Sequence, residues 1–280
     1  MRLIWTTDPH LDHASDKARE QWIQTIASHG PTSIVISGDI SEGDDVVFQL
    51  QQLASQFAVP LYFVLGNHDF YRSSIARTRQ SVIQLSRRYE SLHYLTDESA
   101  TELVDGSFLV GEDGWGDATE GDFEGSPIRL NDFQMIEDFR DAPLEQWKAR
   151  LNQLGAESAD RLSAKLNAIP RTAKQILIVT HVPPYCEACW YEGKTTDKNW
   201  APFFVCGQLG KMLNRFSEDR PNSQVTVLCG HTHHDGIAKI APNLVVHTGG
   251  AIYGQPDIEG MVTVENDRID VVHRRNSSAK

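Results

Sequence analysis

The chain has 280 residues, of which 40% are hydrophobic and 23% are charged, and its formal net charge is -12 at pH 7. This length allows a substantial core, and we expect one domain over residues 1–280 rather than two small ones. The acidic balance argues against a general electrostatic grip on nucleic acid, which needs a basic surface. It does not exclude a small phosphorylated or nucleotide substrate, because bound divalent ions would dominate the local field.

The composition also bears on membrane association and on the cellular compartment. The longest apolar runs in the sequence are far shorter than a membrane span. The N-terminus enters a predicted strand directly after Met1-Arg2 and lacks the layout of a signal peptide. Four cysteines are too few for a disulfide scaffold. We therefore expect a cytoplasmic protein that has no membrane partner.

The first third of the chain alternates predicted strands and helices. Residues 3–7, 34–37 and 61–65 are short apolar runs rich in β-branched and aromatic residues, which are typical of buried strands. Residues 16–28 and 44–56 place apolar side chains at helical spacing between those runs. This β-α-β-α-β order predicts parallel strands joined by right-handed crossovers.

The next segment changes to short strands that lie close together in the sequence. A helix is predicted over residues 75–88, and three strands are predicted at 92–95, 101–104 and 107–111. Gly106 lies between the last two strands and predicts a hairpin turn there.

Two long stretches lack a regular pattern and are predicted as loop insertions, which in compact domains are usually functional or mobile. Residues 112–131 hold four glycines and six acidic residues, and we expect them to cover the sheet edge and to disfavour large polyanions mildly. Residues 182–205 directly follow His181 and carry aromatic side chains that either form a pocket wall or pack the loop onto the core. These are Trp190, Tyr191, Trp200, Phe203 and Phe204. Substrate selectivity is expected to lie in these two loops.

The rest of the chain is predicted to complete the sheet. Helices are predicted over residues 132–139, 143–151, 156–168 and 207–216, and a strand is predicted over 175–180. The last strands are separated by short turns and predict an antiparallel meander over 224–229, 236–240, 244–247, 261–264 and 269–273. Residues 276–280 indicate a frayed tail.

Residue types that ligate metals follow five of the predicted strands. These are Asp8-Pro9-His10, Gly38-Asp39, Gly66-Asn67-His68-Asp69, His181 and Gly230-His231-Thr232-His233. Because α/β proteins place ligands in the loops at the carboxyl ends of strands, we expect these side chains to meet at one edge. Imidazole, carboxylate and amide donors without a thiolate suit Mn, Fe, Zn or Co. The sequence therefore predicts a metal centre.

Each fragment alone has a structural interpretation. An Asp-x-His after a strand is often a turn or a helix cap, Gly38-Asp39 is an ordinary break after a strand, and His181 alone could be a core histidine. Five such fragments, each ending an apolar strand, favour a metal centre over coincidence.

The ordered set of fragments resembles the calcineurin-like metallophosphoesterase superfamily, and the resemblance spans Asp8 to His233. It implies an α/β fold, a four-layer α/β/β/α sandwich with mixed sheets and two metal ions at the sheet edge. The implied ligands of one ion are Asp8, His10, Asp39 and His233. Those of the second are Asp39, Asn67, His181 and His231, so that Asp39 bridges the two ions.

The same resemblance implies a metal-dependent phosphoric ester hydrolase that acts on a phosphomonoester or phosphodiester by attack of a metal-bridging hydroxide. It implies that His68 assists the leaving group as a general acid and that Asp69 sets the tautomer of His68. Asn67 and His68 would also contact the substrate. Arg72 is a candidate for a substrate phosphate, with a solvated arginine at a helix start as the alternative.

Two other functions compete with this interpretation. A non-catalytic scaffold in a protein assembly would be expected to lack a ligand or the catalytic histidine, and every such position is filled here. A nuclease is disfavoured by the net charge and by the absence of a second, DNA-binding domain.

Other residue groups near these motifs have two interpretations each. Asp12 is predicted either as a partner of a ligating imidazole or as a surface residue. Cys186-x-x-Cys189 and Cys206 could form a zinc clip or a redox motif, but ordinary reduced thiols are favoured.

Overall fold

The computed structural model describes residues 1–140 and 142–274, so the predicted tail at 276–280 lies outside the described residues. The strands are β1 (Arg2–Thr6), β2 (Ser33–Ser37), β3 (Leu61–Val64), β4 (Leu92–Tyr94), β5 (Thr101–Val104), β6 (Ser107–Gly111), β7 (Gln175–Val179), β8 (Trp190–Tyr191), β9 (Lys194–Thr195), β10 (Gln224–Cys229), β11 (Gly236–Ala241), β12 (Leu244–Thr248), β13 (Gly260–Val264) and β14 (Ile269–His273). The helices are α1 (Asp16–Ser28), α2 (Asp45–Gln56), α3 (Ile75–Ser86), α4 (Asp132–Met135), α5 (Glu137–Arg140), α6 (Leu144–Ala168), α7 (Ala201–Phe204) and α8 (Gly207–Asp219). Among these, no helix combines the length and apolar character that a membrane span requires.

Two mixed sheets of six strands each form the centre of the molecule. Their strand orders are β14-β13-β1-β2-β3-β4 and β11-β12-β10-β7-β6-β5. The strands β1, β2, β3 and β4 pair in parallel, as the opening β-α-β-α-β pattern predicts. The hairpin predicted at Gly106 is also present, since β5 and β6 pair antiparallel and Gly106 has a φ of 73°.

Each central strand packs against two different cores, which explains why the apolar runs are continuous rather than alternating. Leu3 and Trp5 of β1 and Leu177 of β7 belong to one core between the two sheets. Ile4 faces the core under α1, α2 and α3, whereas Ile176 faces the core under α6 and α8. The layers are therefore helix, sheet, sheet and helix, and the predicted four-layer α/β/β/α sandwich is confirmed.

The predicted antiparallel meander of the last strands is wrong as a whole, although β11 with β12 and β13 with β14 pair antiparallel as predicted. The strand β10 pairs in parallel with both β7 and β12, and β11 pairs antiparallel with β12. The strands β13 and β14 join the other sheet, where β13 lies against β1. Short turns predict hairpins between neighbouring strands, but β10 is buried along most of its length and needs a neighbour on both sides.

The two helices predicted at 143–151 and 156–168 form one helix, α6. Gly155 lies inside it and does not end it. A Cβ atom at Gly155 would overlap the Cβ of Asp117 and lie 2.8 Å from a carboxylate oxygen of Asp117. This glycine therefore lets the first loop insertion approach the helix closely.

The first loop insertion contains no helix or strand, as predicted, but three of its acids are buried rather than facing solvent: Glu112, Asp113 and Asp117. Glu112 pairs with Arg161 at 2.6 Å, and Asp113 pairs with Arg79 at 2.9 Å. The charges of Glu112 and Asp113 are therefore compensated by arginines, and for these two acids the expected repulsion of a polyanion fails.

We predict that Gly155→Ala destabilises the protein by about 1–3 kcal/mol, because the added methyl group overpacks the contact with Asp117. Helix propensity alone predicts a gain of about 1 kcal/mol. The measurement is the free energy of unfolding in urea. Ala164→Gly, at an exposed position of the same helix, calibrates the propensity effect. A gain in Gly155→Ala that equals the loss in Ala164→Gly would contradict the close contact.

Candidate metal centre

The seven residues predicted to bind metal meet at the carboxyl ends of the central strands of both sheets. Six are buried and His233 is half-buried. Their ligand atoms form two overlapping clusters, Asp8/His10/Asp39/His233 and Asp39/His181/His231, and within each cluster these atoms lie within 4.8 Å of one another.

The Asp39 carboxylate lies between the two clusters. Its Oδ2 is 3.6 Å from His10 Nε2 and 3.4 Å from His181 Nε2. Its Oδ1 accepts the backbone N–H of His68 at 2.9 Å, which fixes the plane of the carboxylate. One oxygen of Asp39 therefore faces imidazoles of both clusters.

Hydrogen bonds on the far side of two imidazoles decide which ring nitrogen faces the centre. His181 Nδ1 donates to the Ser37 carbonyl at 2.9 Å, and His231 Nε2 donates to the Phe203 carbonyl at 3.2 Å. The opposite nitrogens, His181 Nε2 and His231 Nδ1, lie 3.2 Å apart. Burial lowers the pKa of His231 to about 3 and that of His10 to about 4, so both rings are neutral ligands at neutral pH.

The buried carboxylates make the site electrostatically favourable for positive charge. Burial opposes ionisation of Asp8, but its hydrogen bond to His233 and the charge of His181 lower the pKa of Asp8 to about 2. Burial likewise opposes protonation of His181, yet Asp39 and Asp8 raise the pKa of His181 to about 10. A cation among these groups would take the place of that proton, which fits a metal site.

Five of the candidate ligands have left-handed backbone conformations, which cost non-glycine residues about 1–3 kcal/mol each. The φ angles are 46° at Asp8, 39° at His10, 50° at Asp39, 71° at His231 and 59° at His233. Such angles turn the chain sharply at the strand end and aim each side chain inward. Strain concentrated on one set of ligands is a feature of functional sites.

The glycines of the motifs make room for the ligands. A Cβ at Gly66 would overlap Asp39 Oδ1 and lie 2.6 Å from His181 Nε2. A Cβ at Gly230 would overlap Asp8 Oδ2. Neither glycine has a positive φ, so the requirement is for space rather than for an unusual backbone angle.

His68 lies on a single 3-10 turn, His68–Phe70, and its side chain lines a cavity above the centre. Its ring stacks on Tyr71 with the centroids 4.3 Å apart and meets the His10 ring edge-on at 4.7 Å. His68 Nδ1 is buried without a hydrogen-bond partner among the described residues. The ring is therefore held by packing.

The predicted role of Asp69 in setting the tautomer of His68 is wrong. Asp69 Oδ1 accepts the backbone N–H groups of Ile40 and Ser41, each at 2.9 Å. Asp69 Oδ2 accepts the N–H of Gly66 at 2.8 Å. Asp69 thus ties the turn after β2 to the turn after β3, which fixes the candidate ligand Asp39 relative to Asn67.

Asp132 is a site residue that the sequence motifs do not reveal. Its Oδ1 accepts Asn67 Nδ2 at 2.9 Å and the hydroxyl of Tyr71 at 2.7 Å. This orients the Asn67 amide so that its Oδ1 lies 3.2 Å from His181 Nε2. An acidic residue in the first turn of a helix is common because it interacts favourably with the helix dipole, so its presence does not indicate a site. The only sequence signal for Asp132 is its position directly after the first insertion.

Arg72 and Asp12, which were candidates for contacts in the site, lie at the surface instead. Arg72 pairs with Glu42 at 2.9 Å, has a side chain that is 73% exposed and does not line the cavity. Asp12 is exposed and contacts Ser41 and His13 rather than a candidate ligand.

All four cysteines are free thiols, and the candidate metal clusters among the described residues contain none of them. Burial raises the pKa of Cys189 to about 12 and that of Cys186 to about 11, which keeps both protonated. The favoured interpretation as ordinary thiols agrees with this.

The cavity above the centre has a volume of about 840 Å³. Asp39, Asn67, His231 and His233 line its floor. The second insertion supplies walls, chiefly Trp190, Tyr191, Trp200 and Phe204. Phe203 is buried instead and packs against Phe123 and Phe133. Both interpretations of the aromatic loop are therefore right, for different side chains.

A model of the calcineurin-like phosphoesterase family matches residues 1–235. The chain belongs to this family. A search of curated proteins finds no match. The family implies metal ions, and the clusters of imidazole and carboxylate side chains suit a dimetal site.

Similar folds occur in solved structures of distant sequence. A phosphopantetheinyl hydrolase from Mycobacterium tuberculosis is 15% identical with a TM-score of 0.67, and 90% of each chain is covered. A dimetal phosphatase from Danio rerio is 13% identical with a TM-score of 0.62, covering 98% of this chain and 95% of that one. TT1561 of Thermus thermophilus is 15% identical with a TM-score of 0.54, covering 97% and 98%. At these identities the likeness establishes the fold.

We predict that Gly66→Ala lowers the metal content of the protein, because the methyl group displaces Asp39 and His181. The measurement is Mn bound per chain after loading and desalting, by atomic spectroscopy. Gly106→Ala is the control, since its Cβ meets only one backbone atom at 4.0 Å and carries only the penalty of a positive φ. Equal metal content in the two variants would contradict this account.

Proposed function

We propose that the protein is a phosphoester hydrolase with a dinuclear metal centre that acts on a small phosphomonoester or phosphodiester. The observation that carries the proposal is the position of Asp39, whose single Oδ2 faces two clusters of buried nitrogen and oxygen donors. Membership of the calcineurin-like phosphoesterase family supports it. The names of the similar structures, a hydrolase and a dimetal phosphatase, support the same reaction class.

The proposed ligands of the first ion are Asp8, His10, Asp39 and His233, and those of the second are Asp39, Asn67, His181 and His231. When bound, two such ions would supply an activated water near neutral pH and offset charge on the transferring phosphoryl group. The donor set lacks a thiolate and suits Mn, Fe or Zn.

His68 is proposed to assist the leaving group. Its imidazole lines the cavity, is not needed as a ligand and is held in place by Tyr71 and His10. A half-buried imidazole in that position can hold a proton at one ring nitrogen and donate it as the ester bond breaks. The Asn67 amide, oriented by Asp132, would lie beside the same phosphoryl group.

The two competing functions fit less well. A polyanion such as DNA needs several basic side chains, and Lys194 is the one Lys or Arg among the described residues that line the cavity. A metal-binding scaffold would require the same clusters but would not require His68 inside the cavity.

The first test is Mn²⁺-dependent hydrolysis of p-nitrophenyl phosphate and bis(p-nitrophenyl) phosphate. We expect turnover of at least one ester, and the preferred ester separates a monoesterase from a diesterase. Substitution of a residue that only supports a metal ligand typically lowers activity by roughly 10- to 100-fold. Asp39→Asn should lower the hydrolysis rate by more than this, because it weakens both proposed metal sites. If the metal-loaded protein hydrolyses neither ester, that result would favour the non-catalytic scaffold as its function.

His68→Ala tests the proposed general acid. We expect kcat to fall by about 10²–10⁴-fold while Mn content per chain stays unchanged. The loss should be larger for an alkyl phosphate than for a p-nitrophenyl ester, because p-nitrophenolate leaves without a proton. His93→Ala, a histidine that pairs with Glu98 outside the site, is the control. Loss of metal in His68→Ala would show that His68 is a ligand instead.

A further inference from the structure

Exposed aromatic side chains are concentrated at the metal centre. Among the described residues, four aromatic side chains are largely exposed: Phe48 at 54%, Tyr191 at 61%, Trp200 at 43% and Tyr253 at 47%. The last three line the same cavity. Exposed apolar surface collected in one concave site, rather than scattered, marks a place where a ligand binds.

Aromatic rings of the cavity contact candidate ligands of both clusters. Phe204 lies 4.4 Å from the His231 ring, and Trp200 meets Phe204 edge-on at 5.5 Å, measured between ring centroids. At the other cluster, Tyr253 lies 4.9 Å from His233 and 4.4 Å from His10. Aromatic surface therefore begins at the metal ligands and continues outward to Trp200.

The cavity is larger than a phosphate group alone requires. Its volume of about 840 Å³ lies in the range of sites that bury a drug-sized ligand, roughly 300–1,000 Å³. Thr195 and Thr196 add hydroxyl-bearing side chains to the wall, and Lys194 adds one cation. The remaining space thus suits an organic group with a large apolar face and some polar edges.

We propose that Trp200 and Tyr191 form an aromatic subsite, and that the substrate is a small phosphoester whose organic group is a planar aromatic or heteroaromatic ring. The ring stacks on these side chains while the phosphoryl group lies on the candidate metal centre. The proposal rests on the proposed function, which it deepens by naming the substrate class. A flat ring gains from an aromatic wall in a way that a puckered aliphatic group does not, because only a flat ring brings its whole face into contact.

The test is a comparison of three phosphonates bound to the Mn-loaded protein by isothermal titration calorimetry. Benzylphosphonate, cyclohexylmethylphosphonate and methylphosphonate share one head group, and their P–C bonds resist hydrolysis. We expect benzylphosphonate to bind roughly fivefold or more tightly than cyclohexylmethylphosphonate, the lower end of what base stacking on an aromatic side chain contributes. Both rings have six carbons and the cyclohexyl group is the bulkier, so bulk alone predicts that cyclohexylmethylphosphonate binds at least as tightly.

Variants assign the preference to the subsite. Trp200→Ala and Tyr191→Ala should each reduce the ratio of the two affinities, and Trp200→Phe should retain part of it. Phe48→Ala is the matched control, because Phe48 is equally exposed but lies on a different part of the surface, in a groove lined by α1 and α2. A ratio near one in the unmodified protein, binding of none of the three, or a ratio that survives both alanine variants would overturn the proposal.

Because the readout is affinity, it separates the two proposals. Preference for benzylphosphonate without hydrolysis of any ester would support the aromatic subsite and overturn the catalytic function. Hydrolysis of esters with equal affinity for both rings would support the catalytic function and overturn the subsite.

Discussion

The architecture depends on burying the His181 imidazole of one sheet against the backbone of the other. His181 Nδ1 donates to the Ser37 carbonyl at 2.9 Å. Its ring fills the space over Gly38 and Gly66, where an added Cβ would come within 2.5 Å and 2.6 Å of the ring. This contact brings the carboxyl ends of both sheets close enough for one Asp39 oxygen to face imidazoles from each. Asp39 is the candidate ligand that the two clusters share.

Such a junction concentrates buried charge and strained backbone, and two buried acids stabilise it. Asp113 Oδ1 accepts the N–H of Leu65 at 2.8 Å, and the Asp113 carbonyl accepts the N–H of His181 at 2.8 Å. One residue therefore fixes the strand end before Asn67 and the turn that carries His181, which belong to different sheets. Asp69 does the same for two turns of one sheet. The candidate ligands are thus positioned by backbone hydrogen bonds, which is the preorganisation that a metal centre would need.

The sequence predicts those parts of the fold that leave a local pattern. Buried strands appear as apolar runs, and each candidate ligand directly follows such a run. Contacts between distant residues leave no such pattern, and this is where prediction fails. The acceptor for Asn67 Nδ2 is Asp132, 65 positions away in the sequence, and Gly155 interrupts the helical pattern because of its contact with Asp117 in another loop. The motif Gly66-Asn67-His68-Asp69 draws attention to Asp69, but only the three backbone N–H groups that Asp69 accepts reveal what it holds in place.

The candidate metal ligands and the proposed substrate contacts come from different parts of the chain, but they are not independent. The ligands follow sheet strands, whereas Trp200 and Phe204 belong to the segment around α7 in the second insertion. The same segment supplies the Phe203 carbonyl, which accepts His231 Nε2 at 3.2 Å and so leaves Nδ1 facing the second cluster. A ring stacked on Trp200 would press on the helix that fixes this ligand. Changes in the insertion are therefore expected to alter selectivity and the candidate second metal site together.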